Sequence, residues 1–460
     1  MSRLTANTSS SPAALTAIQR LAQISVQARD CPAWHPRAAT HLLDWLGCAA
    51  RGAISPQGEA FAGWLKLQGT GIRPTLAGRS SDAAAAAAYH GAIGSALEMD
   101  DIHRSSILHP GPVIIPALLA AAGPGSSGPD LLSALVAGYE VMIRVGRALG
   151  PSHYRMWHST ATAGSFGAAA AASALLGLDA TQTAHALALA GTRAGGLWQV
   201  RHESQLGKAW HMAGAARDGL AAAQLAAAGL TGPQGVLDGP SGWFAATAPE
   251  ADAGMIDAPR SSPWIDDVSF KPWPACRHAH PAIDALKELL GPQARLPQSI
   301  LKVEVFTYAD ALRFCDKPNP LDEAQARFSI QHALAALLLW GEPQASHYSA
   351  ELLKDPALSA LRAIISVDSS AEFEDRYPAQ YGARVVISWR DGRREESALF
   401  DTLGDPARPM SQDAIQTKAA TLMTAAGWSP QRIDAAICAC AALPTAATVD
   451  ALNKVIQPCD

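Results

Sequence analysis

The sequence predicts a mainly α protein, with a large all-helical domain formed by both chain ends and a smaller α+β domain inserted in the C-terminal half. Three observations carry this. Ala- and Leu-rich segments with a 3.6-residue apolar period follow one another to about residue 250. Alternating, β-branched stretches occur only later, at Ile300–Tyr308 (ILKVEVFTY) and Ala383–Trp389 (ARVVISW). A helical pattern then returns behind Ser411, a good cap for Gln412–Ala426. The chain has 460 residues, more than one core usually supports, so the division is placed at residues 1–262, 263–405 and 406–460.

In chain order, the helical segments are Arg37–Ala50, Asp82–Glu98, Val113–Ala122, Asp130–Leu149, Gly164–Leu176, Ala180–Gly191 and Ala209–Ala228. Gly-Pro, Pro-Gly and Ser-Gly breaks separate them, and Ala and Gly on both faces predict close helix packing. In the α+β part, helices are expected at His280–Leu290 and Ala324–Leu339. Ile364–Val367 is a third, weaker strand, and Arg-Asp-Gly-Arg after Trp389 is a turn. No internal repeat is found.

Hydrophobic residues make up 48% and charged residues 17%, an ordinary globular composition, and the net charge is −5. No basic cluster points to nucleic acid, so a small anionic substrate has to be drawn by a local positive site. The N-terminus lacks the apolar core of a signal peptide, and no run approaches the roughly 18 apolar residues of a membrane span. Seven cysteines, an odd number, predict reduced thiols and a cytoplasmic location. Cys438 and Cys440 form an isolated C-x-C, while Cys31, Cys48, Cys315 and Cys459 are scattered, which argues against an iron–sulfur cluster.

Four strings concentrate chemistry. Glu98-Met-Asp100-Asp101-Ile-His103-Arg104 runs on to His109-Pro110, between a helix and a Pro/Gly-bounded turn. Ionisable groups at helix ends beside a core are where proton affinities shift. His158 precedes a Gly/Ala helix. Lys208 and His211 share a face of a helix that is otherwise almost all Ala and Gly. Lys271-Pro-Trp-Pro-Ala-Cys276-Arg277-His278-Ala-His280 is a proline-stiffened tract. Each string also has a purely structural reading, as a solvated cap, a helix-flanking histidine, a snorkelling lysine and a rigid domain junction. One D-D-x-H string is a weak metal signal without a third anchored ligand.

Taken together, the strings resemble the MmgE/PrpD family over nearly the whole chain. They come in that family's order: D-D-x-H…H-P at 100–110, H-x-T at 158–160, the Lys208/His211 helix, Leu237-Asp-Gly-Pro-Ser-Gly242, K-P-x-P-x-C at 271–276 and Ala326-Arg327-Phe328-Ser329. The resemblance implies a homodimer, a helical domain with a lid-like α+β domain, and no metal or organic cofactor. It implies an enzyme acting on a small di- or tricarboxylate: a 2-methylcitrate dehydratase-like hydro-lyase first, with cis-aconitate decarboxylation and iminodisuccinate epimerisation as alternatives. A non-catalytic dimeric carboxylate-binding protein is the alternative of another class.

Asp100, Asp101, His103, His109, His158, Lys208 and Lys271 stand where the family places active-site groups, and Glu98 where it has an acid, often aspartate. Ile102 replaces a common threonine and Gly111 a usual serine. Cys276 stands where the decarboxylase branch has histidine, and Phe314 near where it has tyrosine. The family's reactions share the removal or return of a proton beside a carboxylate. His109 and His158 are the candidates for base and acid, with Asp100, Asp101 and His103 beside them. Lys208, Lys271, Glu98, Arg104, Cys276 and His280 form the substrate-binding set, Arg277 being a further cation. Catalysis without a metal predicts that activity survives exhaustive chelation. Stoichiometric zinc or iron lost together with turnover, measured by elemental analysis and assay, would overturn this.

Overall fold

The computed structural model describes residues 14–203, 205–291 and 297–457; the first thirteen residues and Cys459 lie outside them. Helices dominate, and the sheets are small. The N-terminal part runs through α1 (Ala17–Gln27), α2 (His35–Ala53), α3 (Pro56–Leu65), α4 (Ala83–Gly94), α5 (Gly111–Ala121), α6 (Gly128–Tyr154), α7 (Ser159–Leu175), α8 (Ala180–Gly191) and α9 (Lys208–Ala227). Local chemistry sets their starts. Asp82, Ser127 and Asp179 each accept the N–H three residues on, at Ala85, Asp130 and Gln182, which satisfies donors that a helix start leaves free. No helix among the described residues is long and apolar enough to cross a membrane.

Small residues set the packing. A Cβ at Gly167 of α7 would stand 2.6 Å from Cβ of Met142 in α6. A Cβ at Gly47 of α2 would stand 2.7 Å from Cα of Ala419, in the helix Gln412–Ala425. The helix Gln412–Ala425 therefore lies directly on α2. Ser411 caps Gln412–Ala425 by accepting the Ala414 N–H.

Two apolar clusters result. The larger gathers residues between Ala17 and Val268 with residues 419–456. The other gathers residues 273–389 and also takes Tyr154 and Trp198 from the helical part. Around this second cluster lies a four-stranded sheet of β3 (Ile300–Thr307), β4 (Ile365–Ser369), β5 (Ala383–Trp389) and β6 (Arg394–Leu399), in the order β4-β3-β5-β6. The β3–β4 pair is parallel and the other two are antiparallel. On β3, Val303, Val305 and Thr307 are buried at alternate positions, as the sequence alternation requires. The helix His280–Leu290 packs on β5 and β6.

Several boundaries differ from expectation. A two-residue ribbon pairs β1 (Ile102–His103) with β2 (Val268–Ser269), so one strand lies in the N-terminal part, where the sequence predicts helices alone. Two residues are too few to show any alternation. The helix expected to reach Glu98 stops at Gly94. The helix expected over 324–339 is split into Glu323–Ala326 and Ile330–Trp340, because the Ser329 side chain caps the second piece by accepting the His332 N–H. The split leaves Arg327 and Phe328 between the two pieces. α7 begins five residues earlier than its periodicity suggests, which makes His158 its N-cap residue.

Gly47→Val tests the α2 contact with the C-terminal helix. With backbone atoms already in the way, overpacking should destabilise by about 1–3 kcal/mol or more. The measurement is urea unfolding; an unchanged midpoint would show that the two helices do not meet there.

Candidate active site

The site begins where α4 ends. Past Gly94 the chain turns, and Glu98 adopts φ +54° and Ile107 φ +49°, left-handed conformations uncommon for residues with a side chain. Such backbone persists only where its surroundings over-determine it. Here three lysines do so. The Lys208 ammonium, at the first residue of α9, donates to Glu98 Oε1. Lys271 Nζ donates to the Glu98 carbonyl at 3.0 Å and to Oε2 at 3.3 Å. Lys418 Nζ donates to the Met99 carbonyl at 2.6 Å and pairs with Asp44 at 2.7 Å.

Asp100 stands behind this. Its Oδ1 lies 3.9 Å from Lys271 Nζ and its Oδ2 2.8 Å from His109 Nδ1. The same His109 nitrogen lies 3.0 Å from the Asp101 carbonyl. Two acceptors facing Nδ1 place the ring proton there and leave Nε2 as the atom able to take another.

Burial drives proton affinities in this cluster, and the neighbouring charges reverse its effect. Burial alone would raise Glu98, but Lys208 and Lys271 outweigh it and hold the carboxyl below its usual range. Asp100 is lowered further, burial being overcome by Lys271 and His109. Lys208 lies above its ordinary value: burial opposes its charge, and Glu98 and Asp100 more than compensate. Glu98, Asp100 and Lys208 are therefore all charged although buried.

His158 is different. Its ring is fully buried and held well below its ordinary value, first by burial and then by Lys208, His211 and His109. It is thus a neutral imidazole, with Nδ1 3.2 Å from His211 Nδ1 and its ring centroid 4.4 Å from that of Trp198. Its buried Nε2 has no hydrogen-bond partner.

These residues surround a small cavity of 30 Å³ on the edge of the second apolar cluster. Glu98, His109, His158, Lys208 and Cys276 line it, together with Tyr154, Trp198, Arg277, His278, Phe314 and Phe328. Asp100 and Lys271 do not reach it; they stand one layer behind, against His109 and Glu98. The other expected site residues lie elsewhere. Asp101 is consumed by the fold, accepting from His41 Nδ1 at 2.7 Å, the Tyr139 hydroxyl at 2.6 Å and the Gly111 N–H at 2.8 Å. A Cβ at Gly111 would come within 2.8 Å of this carboxylate, which accounts for glycine at that position.

His103 bonds the Ser106 hydroxyl at 2.6 Å, faces Asp267 at 3.4 Å and sits edge-on to Trp264. Arg104 pairs with Asp401 at 2.8 Å and Asp405 at 3.5 Å. His280 turns its Nε2 to the Ala275 carbonyl and packs on Trp273. Residues the sequence did not single out are Tyr154 and Trp198 on the cavity wall and Lys418, Asp44, His41 and Tyr139 behind it. No local signal marks them, since each reaches the site from a distant part of the chain. Among the described residues, no group of three or more His, Cys, Asp or Glu is arranged to hold a metal ion.

A mainly helical chain thus buries lysines, carboxylates and two histidines around one small cavity. The MmgE/PrpD N-terminal domain matches residues 21–255 and the MmgE/PrpD C-terminal domain residues 273–443, and the chain belongs to the MmgE/PrpD family, as an enzyme of that family's lyase type. It is 30% identical over 425 residues to the cis-aconitate decarboxylase-like protein oryM of Aspergillus oryzae, covering 85% of this chain and 86% of that one. Human cis-aconitate decarboxylase is 27% identical, with 83% and 82% covered. The 2-methylcitrate dehydratase of Salmonella typhimurium is 27% identical over 231 residues, 48% of each chain.

Stability should fall as pH drops below neutrality. His278 is lowered to about 4 by burial, and His158 further, so the unfolded chain binds protons that the folded one refuses. Their contribution is complete above about pH 6.5, and His278 alone withdraws about 2 kcal/mol by pH 5. Glu98 and Asp100, both lowered, act in the same direction at still lower pH. Denaturant unfolding across a pH series checks this; a flat profile from pH 7 to 5 would contradict the buried neutral histidines.

Proposed function

We propose that this chain is a cofactor-independent lyase that removes a proton beside a carboxylate of a small di- or tricarboxylic acid, with dehydration of a 2-methylcitrate-like hydroxy acid as its reaction. One observation carries this reading: two buried imidazoles in different electrostatic settings share one small cavity with a lysine. His109 is backed by a carboxylate that stabilises the imidazolium formed when Nε2 takes a proton from carbon. His158 is kept neutral and linked to His211, so its Nε2 is suited to donate to a departing group.

In the proposed step, the C–H proton passes to His109 and its electron pair forms the double bond. The C–O bond breaks, and the leaving hydroxide takes a proton from the His158–His211 pair and departs as water. Half-buried His211 restores that proton from solvent between turnovers, as His109 returns its own. Lys208, and Lys271 through Glu98, stabilise negative charge building on the adjacent carboxylate.

A second reading, decarboxylation of an unsaturated tricarboxylate, is favoured by the relatives matched over most of their length, which are named as cis-aconitate decarboxylases or as like them. There a carboxylate leaves as carbon dioxide and a histidine delivers a proton to the carbon.

The test is incubation with a panel of citrate-like, hydroxy-dicarboxylic and unsaturated tricarboxylic acids in heavy water, followed by NMR. New alkene signals from a hydroxy acid support dehydration, and loss of a carboxyl group supports decarboxylation. No conversion and no exchange with any acid sinks both. With a substrate in hand, Lys208→Ala should cost about 2–4 kcal/mol of transition-state stabilisation, by analogy with removing one oxyanion donor. Near wild-type turnover would remove Lys208 from the site.

A further inference from the structure

With a net charge of −5, the surface as a whole repels a polyanion. One hollow reverses that sign. It has a volume of 450 Å³ and is lined by Arg201, His202, Arg313 and Lys317, with Glu203 as its acidic residue. Glu203 is engaged by the Gln199 amide, and Arg313, half exposed, pairs with Asp310 at 2.6 Å. Lys317 has no carboxylate within ion-pair distance among the described residues; its ammonium instead lies 5.7 Å from the Phe328 ring.

The floor of the hollow is the wall of the catalytic cavity. Phe314 lines both spaces, and the Arg201 guanidinium lies 5.2 Å from its ring and 6.0 Å from that of Trp198, which packs at a tilt against His158. Phe328 carries Lys317 on the hollow's side and the catalytic Lys208 at 5.5 Å. The inner cavity, at 30 Å³, holds little more than a water molecule, whereas the hollow is of ligand size.

We propose that this hollow is a second anion site, which captures a di- or tricarboxylate on Arg201, Arg313 and Lys317 outside the aromatic wall of Trp198, Phe314 and Phe328. That the captured anion is a carboxylic acid rests on the reaction proposed above; the site itself rests on charge and shape. Capture there supplies the local positive field that the acidic surface lacks, and it sets the anion beside the cavity in which it reacts.

The probe is tricarballylate, a tricarboxylate with neither hydroxyl nor double bond to react, titrated calorimetrically into the full chain. It should still bind after Lys208→Ala, which removes the inner anchor. In that background, Lys317→Glu and, separately, Arg313→Gln should weaken binding about fivefold at low ionic strength. The difference should shrink at roughly 0.5 M salt, where exposed charges are screened within a few ångströms. Both residues are on the surface, so melting curves should stay close to the parent's. Loss of all binding in a Lys208→Ala chain that still melts as a folded protein, unchanged affinity in both charge variants, or no binding to the unmodified chain would each overturn the proposal, and the two charge variants made in the unmodified chain carry the same test should Lys208→Ala not fold. Retained capture with no turnover of any acid would instead sink the reaction and leave the site standing.

Discussion

The structure depends on how it buries charge at the segment Glu98–Asp101. Three carboxylates lie within four residues, and each would be strongly disfavoured as an ion in a dry interior. Each is met by partners across the core, Lys271 serving two of them: Glu98 by Lys208 and Lys271, Asp100 by His109 and Lys271, Asp101 by His41, Tyr139 and a backbone N–H. These partners come from α2, α6, α9 and the proline-stiffened tract, and Lys418 from the C-terminal helix holds the backbone between them. Removing one member leaves an uncompensated buried charge, which costs far more than the intact cluster yields. The ends of the chain and its middle are thus tied together at the point where the backbone is least relaxed.

That arrangement also divides the acids by purpose. Asp101 has its oxygens occupied by the fold and none left for a ligand. Asp100 faces the inner nitrogen of His109 and so sets which ring atom meets the cavity. Glu98 alone reaches the cavity, where it holds Lys208 in its charged form. Adjacent residues of like chemistry therefore act at three depths: in the core, behind the reacting ring and on the cavity wall. His103, Arg104 and His280 belong to the first kind of work, pinning the β1–β2 ribbon and the tract after Lys271 through Ser106, Asp267, Asp401, Asp405 and the Ala275 carbonyl.

The cavity is narrow because aromatic side chains of the second cluster, drawn from both parts of the chain, crowd around it. Tyr154 and Trp198 from the helical part stack edge to face, and Phe314 from the α+β part packs against both. Burial strengthens the charges around it, and together with the neighbouring Lys208 it keeps His158 neutral. At 30 Å³ the cavity requires some wall residue to move before a ligand of several carbons can enter.

By itself the sequence determined the mainly helical class, the change of texture near residue 262, the β3, β4 and β5 positions, and the strings in which the charged residues gather. Those features are local: apolar periodicity, caps such as Ser411, and β-branched alternation act over a few neighbouring residues. It also singled out Glu98, His109, His158, Lys208 and Cys276, which converge on one cavity. Only the tertiary structure decided that Asp101, His103, Arg104 and His280 turn away from it, and that Lys418, Trp198 and Tyr154 contribute from a distance. The physical reason is that the role of a buried ionisable group is set by which partner faces it across the core. In D-D-x-H the two aspartates are chemically identical, and their separation into core acid and histidine partner arises only when α2, α6 and α9 close around them.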